Sequence, residues 1–290
     1  MESCLISVAH SPDADDIFMY YAIAFGWVGS PLGLKFCNTA LDIQTLNEAA
    51  LQGSYDVSAI SFAAYPLIAQ DYALLRTGVS FGSGYGPKLI KLKGKSLKPH
   101  CKVALSGAHT TNALLFRIAY PYAKIVYKNF LDIESAVLNG EVDAGVLIHE
   151  SILTFSDQLE VEREIWDIWC ELAGDDLPLP LGGMALRRSI PLHRAIDIES
   201  TLTKAVQIAT QNKPLLSQML LSRDLIRVNA KELDTYLNLY ANAESISLSP
   251  TQIRAIDTLF ALLHKRGFYP KALSCEEFLL PREYTSLRNS

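Results

Sequence analysis

The sequence predicts an α/β protein made of two lobes around a central cleft. Short apolar stretches of strand length alternate with amphipathic stretches of helix length through the first two thirds of the chain, which is typical of βαβ units on a largely parallel sheet. A chain of 290 residues has room for two lobes of about 100 to 200 residues each. Its apolar fraction of 49%, with 20% charged residues, indicates a well-formed core.

The first lobe is predicted to begin with a series of βα units. Strands are expected at residues 5–9, 34–38 and 55–60. Ser11 and Pro12 supply an N-cap and an early helical proline, and the acids that follow favour the start of a helix over 17–25. Asp42 is expected to cap a helix that reaches residue 52, and a further helix is expected over 61–70.

A second unit of the same kind follows a crossing between the lobes. Residues 74–79 are expected to form a strand, and the glycine-rich segment 81–87 leads to another at 88–92. Further strands are predicted at 102–105, 124–127 and 143–149, with helices at 110–119, 132–139 and near 165–173. The segment 178–183, rich in proline and glycine, is predicted to be the return crossing before an apolar stretch at 184–186.

The last hundred residues are predicted to be helical and to fold back onto the first lobe. Helices are expected at 192–211, 214–221, 231–240 and 249–265. Two βα lobes joined by two crossings, with a helical C-terminal tail, is the architecture of the type II periplasmic-binding-protein fold. We therefore expect a discontinuous first lobe of residues 1–86 plus 187–290 and a smaller second lobe of residues 87–186.

Composition excludes several classes of partner. A net charge of -5 and scattered basic residues, apart from five lysines within 88–98, argue against a nucleic-acid surface. The sequence has no apolar run of about 18 residues, so no membrane insertion is expected, and an N-terminus without a secretion signal predicts a cytoplasmic location. The five cysteines lack metal-site or disulfide spacing, and the phosphate-binding glycine motifs are absent. We expect no metal and no cofactor.

His149 is the first candidate for chemistry because it ends a continuous apolar run that begins near residue 143. Ligands of open α/β sheets bind outside the carboxyl ends of the strands, where this histidine is expected. An imidazole at such an edge can act as a general base, but it can equally be a structural histidine at a strand end. Glu150, on the opposite face of an extended segment, is expected to form a salt bridge or a cap.

Two strand-to-helix turns are candidates for ligand binding. Thr110 and Thr111 precede a predicted helix, where hydroxyls and free N–H groups can hold an anion, although Thr110 as a simple N-cap fits the same sequence. The small residues around Ala59, Ile60 and Ser61 allow close approach of the backbone to a ligand, and here too Ser61 can serve only as a cap. The acidic segment 13–16 complements a helix dipole and lacks the spacing of a calcium loop.

Four segments together resemble the 1,4-dihydroxy-6-naphthoate synthase family of the futalosine route to menaquinone. They are the Ser11-Pro12 turn with its acidic helix start, the loop 106–111, the segment 143–150 and the proline- and glycine-rich segment 177–183. The resemblance covers nearly the whole chain. The feature specific to this family is that the sequence Ile-His-Glu, which ends at Glu150, occurs together with the segment 177–183.

This resemblance implies a cofactor-independent carbon–carbon lyase that holds cyclic dehypoxanthinyl futalosine between two lobes. By the same resemblance, His149 matches the general base of the family, Thr110 and Thr111 match a substrate-binding pair, and the stretch from Ala59 to Ser61, which includes Ile60, matches a binding turn. The family fold and activity imply a small-molecule substrate, and the oligomeric state is left open.

Two other functions stay open at this point. Chorismate dehydratase shares the fold and the pathway but needs no histidine of this kind at a strand end, and a cytoplasmic small-molecule binding protein of the same fold is the non-enzymatic alternative. The chain also departs from the family at its first turn, where many members have S-P-C-P-N-D and this sequence has acids at 13, 15 and 16. Since acids repel a carboxylate-bearing substrate, we expect at least Asp13 or Asp15 to point away from the ligand.

Overall fold

The computed structural model describes residues 5–174 and 176–281, which form two mixed sheets and surrounding helices. The strands are β1 Leu5–His10, β2 Lys35–Ala40, β3 Val57–Ser61, β4 Tyr72–Leu74, β5 Ser80–Gly82, β6 Lys88–Leu92, β7 Lys102–Leu105, β8 Lys124–Tyr127, β9 Ala144–Leu147, β10 Leu159–Glu164 and β11 Leu179–Arg187. The helices are α1 Ala14–Ala24, α2 Ile43–Leu51, α3 Tyr65–Ile68, α4 Thr111–Ala119, α5 Ile133–Leu138, α6 Ile165–Ala173, α7 Leu192–Gln211, α8 Lys213–Ser222, α9 Ala230–Tyr240, α10 Pro250–Lys265 and α11 Cys275–Phe278.

The first sheet has the strand order β2-β1-β3-β11-β4, and β5 also pairs with β11. Strands β2 and β3 lie parallel to β1 on either side of it, and β11 is antiparallel to β3, β4 and β5. The parallel strands β1 and β3 therefore end at the same edge of the sheet, and the chain turns there into a helical segment after each of them.

The second sheet has the strand order β10-β6-β9-β7-β8. Its central strands β7 and β9 are parallel and continue into α4 and into a short 3₁₀ helix, His149–Ile152, respectively. Strand β6 is antiparallel to both β9 and β10. The carboxyl ends of β7 and β9 thus form one edge, as do those of β1 and β3 in the first sheet.

Local sequence explains the elements that agree with the predictions. Strands β7 and β8 and helix α6 have the predicted bounds, and the Asp42 side chain accepts hydrogen bonds from the N–H groups of Gln44 and Thr45 at the start of α2. Ser249 caps α10, with Pro250 in the first turn. These signals act within a few residues, so no distant contact is needed to fix them.

Three predictions about the crossings were wrong. Residues 75–79 are a loop rather than a strand: the Leu75 N–H still donates to the Met184 carbonyl oxygen of β11 at 2.9 Å, but the chain then turns away at Gly78, which has a φ of 66°. Within the segment 81–87, Phe81 and Gly82 belong to β5. The predicted return crossing at 178–183 is largely β11, a nine-residue strand in the first sheet, and β10 was not predicted at all.

The C-terminal helices pack against the first sheet and its neighbouring helices. Helix α7 packs along α1, while α10 packs on β11 and α6. The indole N–H of the fully buried Trp169 in α6 donates to the Leu177 carbonyl oxygen at 2.8 Å, which ties α6 to the start of β11. Cys37, Cys101 and Cys275 are free thiols, and Cys4 lies outside the described residues, as do the chain ends 1–4 and 282–290 of the predicted first lobe. In the described part of the chain, no helix has the length and apolar character needed to cross a membrane.

Candidate active site

His149 lies just beyond the buried strand β9, at the start of the 3₁₀ helix. The strand ends at Leu147, two residues earlier than predicted, and His149 has a φ of 56° in the left-handed region that non-glycine residues rarely adopt. Its ring packs edge-on against the buried Phe130, with ring centroids 4.9 Å apart. A strained backbone and a packed ring together hold the imidazole in one orientation.

The two ring nitrogens of His149 have different surroundings. Nδ1 contacts the Oδ2 atom of Asp13, the residue immediately before α1 in the first lobe. Nε2 has no hydrogen-bond partner among the described residues. Burial lowers the pKa of His149, and the nearby carboxylates of Glu150 and Asp15 oppose that shift. Within the described part of the chain, Nε2 is thus an unpartnered, buried nitrogen of a side chain that lines the cleft.

Asp13 replaces Ser11 as the N-cap residue of α1, so the predicted cap was wrong. The backbone of Asp13 is extended, as a cap requires, but its side chain makes no capping hydrogen bond. Its carboxylate is directed to His149 instead. The Glu150 carboxylate, from the other side of the cleft, accepts the Ala14 N–H at 2.7 Å, so Glu150 is a cap as predicted, although of a distant helix.

Asp13, Asp15 and Asp16 form a compact acidic cluster, with one carboxylate oxygen of each within 4.8 Å of the others. All three line the cleft, so the expectation that Asp13 or Asp15 points away from it was wrong. Burial raises the pKa values of Asp13 and Asp15 well above the ordinary value, and mutual repulsion adds to the shift. Burial likewise raises the pKa of Asp16 to about 6. A proton on Asp15 or Asp16 would reduce the repulsion of a carboxylate-bearing substrate.

The turn at Ala59, Ile60 and Ser61 lines the same cleft from the first sheet. These residues are the end of β3 rather than the turn after it, and all are buried. Ser61 is fixed by Asn47, which accepts its N–H at 2.9 Å and donates to its Oγ at 3.1 Å. The adjacent strand β11 places Gly182 beside Ser61, where a Cβ atom would lie 2.9 Å from the Ile60 carbonyl oxygen.

Thr110 and Thr111 lie at the N-terminus of α4 and line the cleft from the second sheet. The Thr110 hydroxyl caps the helix by accepting the Ala113 N–H at 3.3 Å. The Thr111 hydroxyl spans the cleft: it donates to the Leu181 carbonyl oxygen at 3.0 Å and accepts the Ala63 N–H at 3.3 Å. Thr110 is thus a cap, as its sequence position suggested, while Thr111 connects the two lobes.

The structure therefore brings all six predicted site residues to one cleft of about 720 Å³. It adds residues that the sequence analysis did not assign to the site, above all Asp13 and two tyrosines of α9, Tyr236 and Tyr240, whose ring centroids are 4.8 Å apart. The tyrosines follow the apolar period of α9, which is indistinguishable from an ordinary core face. The lining residues include no lysine and no arginine in the described part of the chain.

Comparison with known proteins identifies relatives over almost the whole chain. A family model described as menaquinone biosynthesis matches residues 6–265. A 1,4-dihydroxy-6-naphthoate synthase from Thermus thermophilus is 31% identical over 275 residues, which cover 90% of this chain and 95% of the relative. A second enzyme of that name, from Streptomyces coelicolor, is 29% identical over 282 residues, covering 93% of this chain and 96% of the relative.

Solved structures confirm the predicted fold. A protein from Archaeoglobus fulgidus superimposes with a TM-score of 0.85 at 33% identity, covering 93% of this chain and 100% of its own. The alkanesulfonate-binding protein of Xanthomonas axonopodis superimposes with a TM-score of 0.71 at 14% identity, covering 96% and 99% of the two chains. At that identity the likeness concerns the fold alone. The chain has the two-lobed periplasmic-binding-protein-like architecture with a helical C-terminal tail.

Proposed function

This chain belongs to the menaquinone-biosynthesis family, and from that premise we propose that it is the lyase that converts cyclic dehypoxanthinyl futalosine to 1,4-dihydroxy-6-naphthoate, with His149 as general base. The family match and the two relatives make it an enzyme of menaquinone biosynthesis of the 1,4-dihydroxy-6-naphthoate synthase kind. The substrate, the bond that breaks and the base are the proposal. We expect the reaction to take place in the cytoplasm.

The observation that carries the proposal is the environment of His149. Its Nδ1 is engaged by Asp13, while the unpartnered Nε2 belongs to a side chain that lines the cleft. Burial lowers the pKa of His149, which favours the neutral imidazole that a base requires. An imidazole held in this way is suited to remove a proton from a bound hydroxyl group.

The proposed step is a retro-aldol-type cleavage. His149 Nε2 takes the proton of a sugar hydroxyl, the O–H electron pair becomes the second bond of a new carbonyl group, and the adjacent carbon–carbon bond breaks. The electron pair of that bond passes into the ring system that becomes the naphthalene, and the sugar-derived fragment leaves. Because the ring gains aromaticity, the cleavage is driven forward without an external oxidant or reductant.

We propose that the remaining candidates hold the substrate. The N-terminus of α4 at Thr110 and Thr111 offers backbone N–H groups to a carboxylate, a role that fits a cleft lined by no described lysine or arginine. The end of β3 at Ala59, Ile60 and Ser61 offers close backbone approach from the other lobe. The faces of Tyr236 and Tyr240 suit an aromatic ring.

We also propose that the two lobes move relative to each other during turnover, with β11 counted in the first lobe, which is then residues 1–86 plus 179–290, while the second lobe is residues 87–178. Strand β11, at 179–187, pairs with the first sheet, so the segment between α6 and β11 joins the sheets on one side. On the other side the short connection from β5 to β6 does so. Contacts across the cleft at Asp13, Glu150 and Thr111 are those of a closed arrangement.

The test is to incubate the purified protein, without added metal or nucleotide, with cyclic dehypoxanthinyl futalosine and to detect 1,4-dihydroxy-6-naphthoate by mass spectrometry. We expect product from the wild type and from His100→Asn, whose histidine is exposed, but none from His149→Asn, with substrate affinity changed by a few fold at most. Unchanged turnover in His149→Asn would refute the base. Tight binding without product would indicate a binding protein, and neither product nor binding would make chorismate the next compound.

A further inference from the structure

We propose that Asp13 is the positioning residue for His149, accepting its Nδ1–H and thereby fixing the tautomer in which Nε2 carries the free electron pair. This inference rests on the proposed function, in which His149 is the base. The geometry that supports it is the contact between Asp13 Oδ2 and His149 Nδ1, together with a Nε2 atom that has no partner among the described residues. Both side chains line the cleft.

The backbone around Asp13 indicates that this contact is built into the fold. Asp13 has the extended backbone of an N-cap, and a side chain at that position ordinarily accepts an N–H of the first helical turn. Here that helix receives its capping bond from Glu150, at the Ala14 N–H. The Asp13 carboxylate is therefore free to contact His149, and at 4% exposure it is shielded from water.

The tautomer matters because a neutral imidazole has only one basic nitrogen. If the ring proton is on Nδ1, Nε2 can accept a proton from the substrate; if it is on Nε2, the nitrogen left to act as a base faces Asp13 instead. A carboxylate at Nδ1 selects the first form and stabilises the imidazolium that forms when Nε2 takes up a proton. The pair thus resembles the histidine–aspartate part of a hydrolase triad in its logic.

The charged groups around Asp13 and His149 are expected to make the rate of the proposed reaction depend on pH. When Asp13 and His149 share one proton more, Nε2 is protonated and the base is lost, so activity rises with pH through an apparent pKa that belongs to the pair. Burial raises the pKa of Asp13, which favours the extra proton, while burial lowers that of His149. The titratable and charged groups that face the pair are Asp15 and Asp16 of α1, Glu150, Arg227, Tyr236 and Tyr240 of α9 and, through Asp16, His10.

A substrate-free experiment tests the tautomer directly. Nitrogen-15 NMR of histidine-labelled protein at pH 8 distinguishes protonated from unprotonated ring nitrogens, and the spectrum of His149→Asn identifies the resonances of His149 among the six histidines. We expect Nδ1–H with an unprotonated Nε2 in the wild type, and a mixture of tautomers in Asp13→Ala. An Nε2–H tautomer in the wild type, or an unchanged tautomer in Asp13→Ala, would overturn the proposal.

Kinetics separate positioning from a purely structural role. Asp13→Asn keeps the shape of the side chain but removes its charge, and we expect kcat to fall by about 10²-fold or more. The acid limb of the kcat/KM profile should move to lower pH by about one unit or more, because no carboxylate then stabilises the imidazolium. Asp157→Asn removes an exposed carboxylate as a control and should change neither quantity.

The two arms distinguish failure of this inference from failure of the proposed function. Product formation with an unmoved acid limb in Asp13→Asn would refute positioning by Asp13 while leaving the lyase activity intact. Absence of product from the wild type would refute the proposed activity, and the NMR result, which needs no substrate, would still decide the tautomer.

Discussion

The Glu150 carboxylate accepts the backbone N–H of Ala14 at 2.7 Å. Glu150 belongs to the second lobe, so it caps helix α1 from across the cleft. The residue before Ala14, Asp13, is committed to His149. His149 and Glu150, neighbours in the second lobe, therefore contact Asp13 and Ala14, neighbours in the first lobe. We therefore expect closure of the cleft and assembly of the histidine–aspartate pair to occur together.

Replacement of Glu150 should weaken closure without removing the base. A hydrogen bond to a charged group contributes about 1.5–3 kcal/mol, so we expect Glu150→Ala to raise KM by about 10-fold or more. Glu150→Gln keeps a carbonyl oxygen for the Ala14 N–H and should stay within a few fold of the wild type. Steady-state kinetics of both variants, with Glu277→Ala as an exposed control, check this. Equal impairment of the alanine and glutamine variants would show that the charge, not the hydrogen bond, matters.

Much of the fold could be predicted because its signals are local. The cap at Asp42, the threonine before α4 and the bounds of β7 and β8 depend on residues a few positions apart. The loop at 75–79 could not be predicted, because Leu75 and Val79 are apolar and buried, as strand residues would be, although both lie in a loop. Strand β11 was obscured by its proline and glycines, which usually mark a turn.

The candidate site likewise contains residues that the sequence could predict and residues that it could not. Thr110 and Thr111 follow a strand, and the residues Ala59 to Ser61 end one. That position alone predicted that these residues would meet at a cleft. The contact of Asp13 with His149 joins segments of two different lobes, and nothing in either segment specifies the other. The acids at 13, 15 and 16 were visible as a group, but the sequence could not show that burial raises their pKa values.

The Thr111 hydroxyl should contribute to closure through its two hydrogen bonds across the cleft. Thr111→Val has nearly the same shape but leaves the buried Ala63 N–H and Leu181 carbonyl without this partner, at a cost of about 1–3 kcal/mol. We expect a larger radius of gyration in small-angle scattering of the ligand-free variant and a higher KM. Thr39→Val, on the exposed strand β2, is the control. Scattering and KM values equal to those of the wild type would contradict a role in closure.

We expect activity to survive removal of divalent metals, despite the acidic cluster. Asp13 Oδ2 is already in contact with His149, and Asp16 Oδ2 accepts the Ser11 N–H at 2.7 Å, so two of the three carboxylates have an oxygen engaged. The raised pKa values of Asp15 and Asp16 favour their neutral forms, which are weak ligands for a cation. Turnover after dialysis against a chelator should equal that before it. Calorimetric binding of Mn²⁺ or Mg²⁺ below the millimolar range, lost in Asp15→Asn, would contradict this expectation.

Asp16 should make the folded protein less stable as the pH rises. Its pKa is raised from 3.8 to about 6, mainly by burial, so the folded state holds this proton more tightly than the unfolded chain does. Below about pH 4 the group is protonated in both states and causes no penalty; stability is then lost as the pH rises through about 6.

Asp16→Asn cannot ionise, and its amide oxygen can still accept the Ser11 N–H. The variant should match the wild type near pH 4 and exceed its unfolding free energy by about 1–3 kcal/mol at pH 8. Urea unfolding at both pH values measures the difference, and Asp157→Asn, an exposed carboxylate, should show no such change with pH. A stability gain of equal size at both pH values would mean that the benefit comes from packing or hydrogen bonding rather than from relief of a buried charge.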